Sequence, residues 1–511
     1  MRGAGASVDV DGLSFTYRAA HASDAEAEPA PALHEISLHL DPGELCYLMG
    51  RTGAGKSTLC LCLNGIIPKM QPGRFAGEVR VDDERVSGRQ VYDVARSVGV
   101  LFQDFESQLL ASDVEREVAF GLENAGMPRE EMRRRVAEAL ELVGLSHLRG
   151  RDPSTLSGGQ KQRLALAAVL APEPSVLVLD EPTTDLDPRG KQELARIVED
   201  LSARGVTLLI ADHESEDALA GHSLVALQGG EKRFDGAPAE LLTEPQRCRK
   251  LGILPLQMPE LFERLRLPER PVEPSEAARL LREHGLCVDE IECEALAALE
   301  PPQGDPIIEL ENVSFTYSDS GTAALEDVTL TVREGEFVVL LGENGSGKST
   351  LARHLNGLLS PTSGSVRIGG RDAREQSIKQ LASQVGYLFQ NPDHQIFSST
   401  VREEVAFGPR NLGMAEDEVE RQVARALEVT ELAGWEERDP FVLTRGERQR
   451  VALASVLACR PRVIVFDEPT TGLDGLQARD MMELLARLNA QGTTVIVITH
   501  ATWAATEYAK R

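Results

Sequence analysis

Two short stretches could wrap a phosphate chain: Gly50-x4-Gly55-Lys56-Ser57 and Gly342-x4-Gly347-Lys348-Ser349. Glycines, here including Gly53 and Gly345, let backbone amides turn inward around oxyanions, and a following helix adds positive potential at its amino end. In that chemistry Lys56 and Lys348 pair with the β- and γ-phosphates, while Ser57 and Ser349 ligate Mg²⁺. Thr58 and Thr350 complete each run. A second constellation is an acidic pair after four apolar residues, VLVLDE (176–181) and VIVFDE (463–468). A buried strand would set Asp180 and Asp467 beside the phosphate loop to hold Mg²⁺ through water. Glu181 and Glu468 at the strand end are then suited to orient or deprotonate an attacking water.

The elements needed to position these groups are legible around them. Each phosphate loop follows an apolar run (44–49; 337–341) and opens a helical one, the context that gives the pattern its mechanism. His213 and His500 each follow an apolar strand, TLLIADH and TVIVITH.

The chain also repeats itself. LMGRTGAGKSTL returns as LLGENGSGKSTL, VLFQD as YLFQN, EREVAFG as REEVAFG, and LSGGQKQRLALAAVLA as LTRGERQRVALASVLA. Tyr17 and Tyr317 are spaced by 300 residues and the two lysines by 292. From Gln103/Gln390 to His213/His500 the spacing is constant at 287. A tandem duplication follows. Copy one should span 1–245, ending in a strand pair within 223–236. A helical extension and Pro-rich linker should occupy 246–306, and copy two 307–511. The Ala/Pro/acidic stretch 19–33 reads as a surface loop of copy one. Copy two runs 11 residues beyond His500, where copy one continues through its last strands, so either copy two is naturally short or the chain is truncated.

Composition narrows the class. The 511 residues carry a net charge of −27 and are 42% hydrophobic. That balance excludes wholesale disorder and argues against a basic surface for nucleic acid. No run is long enough to span a bilayer, and the amino terminus lacks a secretory core. Seven scattered cysteines without a CxxC support neither a zinc site nor a disulfide framework, and their usage fits a reducing cytoplasm.

With both phosphate loops, the LSGGQ at 156–160 resembles the signature of ATP-binding-cassette (ABC) ATPases. The resemblance covers nearly the whole chain except 246–300. It implies an α/β fold: two tandem nucleotide-binding domains, each a RecA-like core with an inserted helical subdomain, near 104–160 and 391–447. It further implies that Tyr17 and Tyr317 stack on adenine, that Gln103 and Gln390 contact Mg²⁺ and water, and that His213 and His500 contact the γ-phosphate. Asp187 and Asp474 match a loop signalling between sites. In such ATPases the copies meet head to tail. One composite site would pair Lys56, Asp180, Glu181 and His213 with the second signature, Thr444, Arg445, Gly446 and Glu447. The other would pair Lys348, Asp467, Glu468 and His500 with Ser157, Gly158, Gly159 and Gln160. Arg445 replaces a glycine, adding bulk, charge and a restriction on positive φ. The expectation is two hydrolytic sites of unequal rate, the Glu468 site being the faster.

Segments 103–126 and 390–413, RGERQR and the extension around LGILPLQMPELFERLR resemble the ATPases of energy-coupling-factor (ECF) importers, including cobalt and nickel systems. That implies partners: a transmembrane coupling subunit and a substrate-binding membrane subunit, with this chain peripheral at the cytoplasmic face of the cell membrane. The cofactors implied are ATP and Mg²⁺, and the cargo a vitamin or transition-metal ion. The competing reading is a ribosome-acting twin-cassette protein like the ABC-F translation factors. Pro255, Pro259, Pro268, Pro271 and Pro274 break the long helical linker those carry, and the net acidity disfavours RNA. A non-hydrolytic regulator is disfavoured by the presence of Glu181, Glu468, His213 and His500.

Overall fold

The computed structural model describes residues 5–18, 30–184, 186–286, 304–317 and 321–509. Most of the 19–33 loop, most of the linker after 286, and Asp185 lie outside the described residues. Contacts divide the chain into one unit formed mainly by residues 1–286 and a second formed mainly by 287–511.

The first unit has two sheets. β1 (Val8–Tyr17), β2 (Leu33–Leu40), β4 (Gly73–Val81) and β5 (Glu84–Arg85) form an antiparallel sheet in the order β2-β1-β4-β5. The other has the order β10-β9-β3-β8-β7-β6, from β3 (Leu45–Met49), β6 (Val98–Leu101), β7 (Val176–Asp180), β8 (Thr207–Ala211), β9 (Ser223–Gln228) and β10 (Glu231–Gly236). Its central strands are parallel, and every residue of β3, β7 and β8 is buried. Strands covered on both faces read as continuous apolar runs, which is what 176–179 and 207–211 are. A helical insert of Val114–Asn124, Arg129–Leu142 and Gly158–Leu170 sits between β6 and β7.

Beyond β10, helices Pro245–Leu251, Gln257–Arg264 and Pro274–Glu283 follow. Cys248, Ile253 and Leu256 enter the same core as β3, β7 and β8. Gln228 Nε2 donates to the Lys250 carbonyl at 2.7 Å and Ser215 Oγ to that of Leu254 at 2.6 Å, fastening the extension to the first unit. The prolines at 245 and 274 start two of these helices, where a missing N–H costs nothing.

The second unit repeats the plan. β11 (Pro306–Thr316), β12 (Ala323–Arg333), β14 (Ser363–Ile368) and β15 (Arg371–Asp372) form the antiparallel sheet, ordered β12-β11-β14-β15. β13 (Phe337–Leu340), β16 (Val385–Leu388), β17 (Val463–Asp467) and β18 (Thr494–Ile498) form a parallel one, ordered β13-β18-β17-β16. Among the described residues this sheet has four strands against six in the first unit. Helices Val401–Leu412, Glu416–Val429 and Arg445–Leu457 make the insert, with a core of their own around Val405, Val423, Leu427 and Val451. Among the described residues, no helix is long and apolar enough to cross a membrane.

Candidate ATP-hydrolysis sites

β3 delivers the chain into Gly50, whose φ of 140° and neighbour leave no alternative: a Cβ there would lie 2.2 Å from the Leu227 carbonyl oxygen. Gly55, at φ 103°, caps the Lys56–Leu63 helix with a would-be Cβ 2.5 Å from Ala32 O. Gly53 and Gly345 also take positive φ. Lys56 is buried, and its Nζ donates to the carbonyls of Gly50 at 2.9 Å and Arg51 at 3.3 Å. Burial draws its pKa down, while Glu181 and Asp180 nearby push it up. In the second unit Gly347 caps the Lys348–Leu355 helix in the same way, and Lys348 Nζ donates to Gly342 O at 2.7 Å and Glu343 O at 2.8 Å. Each lysine therefore lies folded over its loop.

Tyr17 ends β1 and shares a 3.0 Å hydrogen bond with the Thr58 hydroxyl; Tyr317 and Thr350 repeat it at 3.1 Å. Phe15 and Phe315 meet these tyrosines edge to face, at 4.8 and 4.9 Å between centroids. Both tyrosines thus stand at the rim of a phosphate loop.

Asp180 ends β7 and is buried, with Ser57 near its carboxylate; burial raises its pKa to about 6, while Ser57 draws it down. Its Oδ1 is buried without a hydrogen-bond partner among the described residues. Asp467 accepts from Ser349 Oγ at 3.1 Å and from the Tyr387 hydroxyl at 2.9 Å, and burial raises its pKa too. A buried carboxylate beside a serine hydroxyl on a phosphate loop is a donor set that fits a hard divalent cation, and the orphaned Asp180 oxygen is an atom that such an ion or its water would satisfy. Ser57 with Asp180, and Ser349 with Asp467, would hold it, and the cation would neutralise phosphate charge.

Glu181 follows in a left-handed conformation, φ 50°, with its N–H donating to Ala211 O at 2.7 Å. That turn aims the carboxylate between Gln103 and His213. Gln103 Nε2 donates to Glu181 Oε2 at 2.6 Å, and His213 Nε2 lies 2.9 Å from Oε1. Glu468 takes the same turn at φ 52°, and His500 Nδ1 lies 3.1 Å from its Oε2. Gln390 stands two residues beyond β16, as Gln103 stands beyond β6. Each site thus joins a carboxylate able to orient water with a histidine able to donate to phosphate.

The signatures stand at the start of a helix of the insert. Ser157 caps Gly158–Leu170 in a reciprocal box with Gln160, and Thr444 caps Arg445–Leu457 with Glu447. The expected backbone restriction at Arg445 does not arise. Arg445 is the first helical residue, and neither it, Gly158, Gly159 nor Gly446 has positive φ. Its bulk lies instead against Gly472, where a Cβ would come within 2.6 Å of the guanidinium carbon.

Sequence reasoning passed over several residues that the structure makes structural partners of the sites. Gln162 Nε2 donates to Pro182 O at 2.5 Å and Gln449 Nε2 to Pro469 O at 2.9 Å, tying each signature helix to the turn after Glu181 or Glu468. Asp212 is buried before His213, accepting from Thr183 Oγ1 at 2.8 Å and His213 N at 2.6 Å. The second unit has Thr499 there. Recurrence at the fixed 287-residue spacing was the available signal for Gln162 and Gln449.

A profile of the ABC transporter family matches residues 33–184 and 325–471. The chain is 46% identical over 510 residues to a "Putative ABC transporter ATP-binding protein" of Caldanaerobacter subterraneus subsp. tengcongensis, covering 98% of this chain and 88% of that one. It is 34% identical over 496 residues to the "Putative HMP/thiamine import ATP-binding protein YkoD" of Bacillus subtilis, covering 96% and 86% respectively. Among solved structures, cbiO1 from Clostridium perfringens, titled part of the ABC transporter complex cbiONQ, aligns at a TM-score of 0.42 and 30% identity, over 51% of this chain and 98% of that one. The chain belongs to the ABC transporter ATP-binding family, as an ATP hydrolase with two tandem α/β cassettes in one polypeptide.

Proposed function

We propose that this chain is the energy-coupling ATPase of an ECF-type importer, powering uptake of a vitamin or transition-metal ion through separate membrane subunits. The observation that carries this reading is a matched pair of apolar loops that follow Gln103 and Gln390 in the chain. In EREVAFG, buried Glu117 accepts the backbone N–H groups of Leu110 and Ala111 at 2.8 and 2.6 Å. In REEVAFG, buried Glu404 does the same for Phe397 and Ser398 at 3.0 and 2.9 Å. The clamped loops present Leu110, 72% exposed, and Phe397, 58% exposed. Exposed Phe120 and Phe407 stand on the adjoining helices, and Phe407 packs edge to face on Phe397 at 4.7 Å. Rigid apolar knobs of this kind are suited to receive an amphipathic helix of a membrane subunit. The similarity to the Bacillus relative named for HMP/thiamine import supports a vitamin-type cargo.

On this reading, each phosphate loop binds ATP, Glu181 and Glu468 orient water, and the glutamine segments pass the resulting motion to membrane helices. Mg²⁺ would be held by Ser57, Asp180 and Gln103, and by Ser349, Asp467 and Gln390. The test is copurification with a coexpressed membrane coupling subunit. Phe397→Asp with Leu110→Asp should release that subunit while ATP binding persists. Retention of the subunit by this variant, or cosedimentation of the wild-type chain with ribosomes instead, contradicts the proposal.

A further inference from the structure

Asp180 and Asp467 end equivalent strands, yet their neighbours differ. Tyr387 of β16 is buried beside β17, and its hydroxyl donates to Asp467 Oδ2. The Arg353 guanidinium, from the helix that opens at Lys348, lies close enough to Tyr387 to act on its hydroxyl electrostatically. Ser349 occupies the other oxygen, Oδ1. Both Asp467 oxygens are therefore engaged by fixed donors.

The first cassette has neither polar residue. At the spacings of the repeat, Val100 stands for Tyr387 and Leu61 for Arg353. Val100 is buried in the apolar core of that cassette, and Leu61 packs against the same core. Asp180 keeps Ser57, but its Oδ1 has no partner among the described residues. The two polar residues are present together in one cassette and absent together in the other, which marks them as a unit.

We propose that Arg353 and Tyr387 form a positioning relay for the divalent cation of the second cassette, fixing the Asp467 carboxylate so that the second cassette takes up its cation at a lower free concentration than the first. A carboxylate with a free oxygen must be ordered when the ion arrives, whereas one pinned by an outer hydrogen bond is already aligned. Tyr387 is a positioning residue, since it acts through Asp467.

The experiment uses the full chain carrying Lys56→Ala, so that nucleotide is read at the second cassette. Mn²⁺ binding is followed by electron paramagnetic resonance in the presence of ATPγS, and ATPγS binding is measured separately in EDTA. Tyr387→Phe should raise the Mn²⁺ concentration for half-saturation about tenfold, the low end for loss of an outer-sphere partner. ATPγS binding in EDTA should not change. Arg353→Leu, which keeps the tyrosine ring, should shift the Mn²⁺ titration in the same direction by a smaller factor. An unaltered Mn²⁺ titration in both variants overturns the proposal. So does an equal loss of ATPγS binding with and without metal, which would mean that the tyrosine only supports the fold.

Discussion

The two phosphate loops share glycines, lysine contacts and a following helix, but not their surroundings. In the first cassette β9 and β10 close over the loop: Gly50 abuts the Leu227 carbonyl, Gly230 N donates to Ala54 O at 3.2 Å, and Gly50 and residues 54–56 are buried. In the second, residues 342–346 are exposed and Lys348 is half-buried. Around the carboxylates the contrast reverses, because Asp467 has Tyr387 where Asp180 has a bare oxygen. Equal motifs can thus sit in unequal settings. Burial strengthens the charge interactions of Lys56, and hydrogen bonding orders Asp467.

The largest effect should come from removing both lysines. Lys56→Ala with Lys348→Ala should abolish ATP hydrolysis and ATP-driven uptake while the complex still assembles on a sizing column. Residual coupled uptake would mean that neither loop is the phosphate cradle. A smaller, one-sided effect should follow at Asp212. Asp212→Ala frees the Thr183 hydroxyl and the His213 amide in the first cassette only, and because both groups are only partly buried the loss should be on the order of 0.5–1.5 kcal/mol each. It should lower the melting temperature and the turnover of the first site, whereas Thr499→Ala should change the second site less. The comparison is sharpened if a Thr499→Ala, Asp212→Ala pair adds without coupling. Smaller still in its effect on chemistry, Glu117→Ala or Glu404→Ala should unpin one apolar loop. Each should weaken capture of a membrane coupling subunit while leaving nucleotide binding by the free chain intact.

Much of this was legible in the chain because the chemistry is carried by contiguous motifs. The loops, the acidic pairs, both histidines and the strand-pair ending of the first cassette follow from spacing and apolar runs. What stayed hidden depends on contacts across sequence distance. VLFQD and YLFQN read as one motif, yet they differ at both ends, and it is the first pair, Val100 and Tyr387, that changes the site. The consequence at Asp467, 80 residues away, emerges only when β16 lies beside β17. Nothing in EREVAFG or REEVAFG sets Glu117 and Glu404 apart from the neighbouring glutamates, and only the folded loop shows these two as buried acceptors. Arg445 was read through the glycine it replaces, whereas its setting is decided by Gly472, 27 residues on.

The central claim is that the two hydrolytic sites differ in rate, with the Glu468 site the faster. Tyr387 hydrogen-bonds Asp467, the carboxylate proposed to hold its metal, whereas Asp180 has no such donor. The most direct measurement is steady-state ATPase activity of Glu181→Gln and Glu468→Gln in the complete complex. Loss of a positioned base costs on the order of 100-fold at the site concerned, so the surviving activity in each variant reports the other site. Glu468→Gln should remove the larger share of turnover; a greater loss with Glu181→Gln would contradict the account.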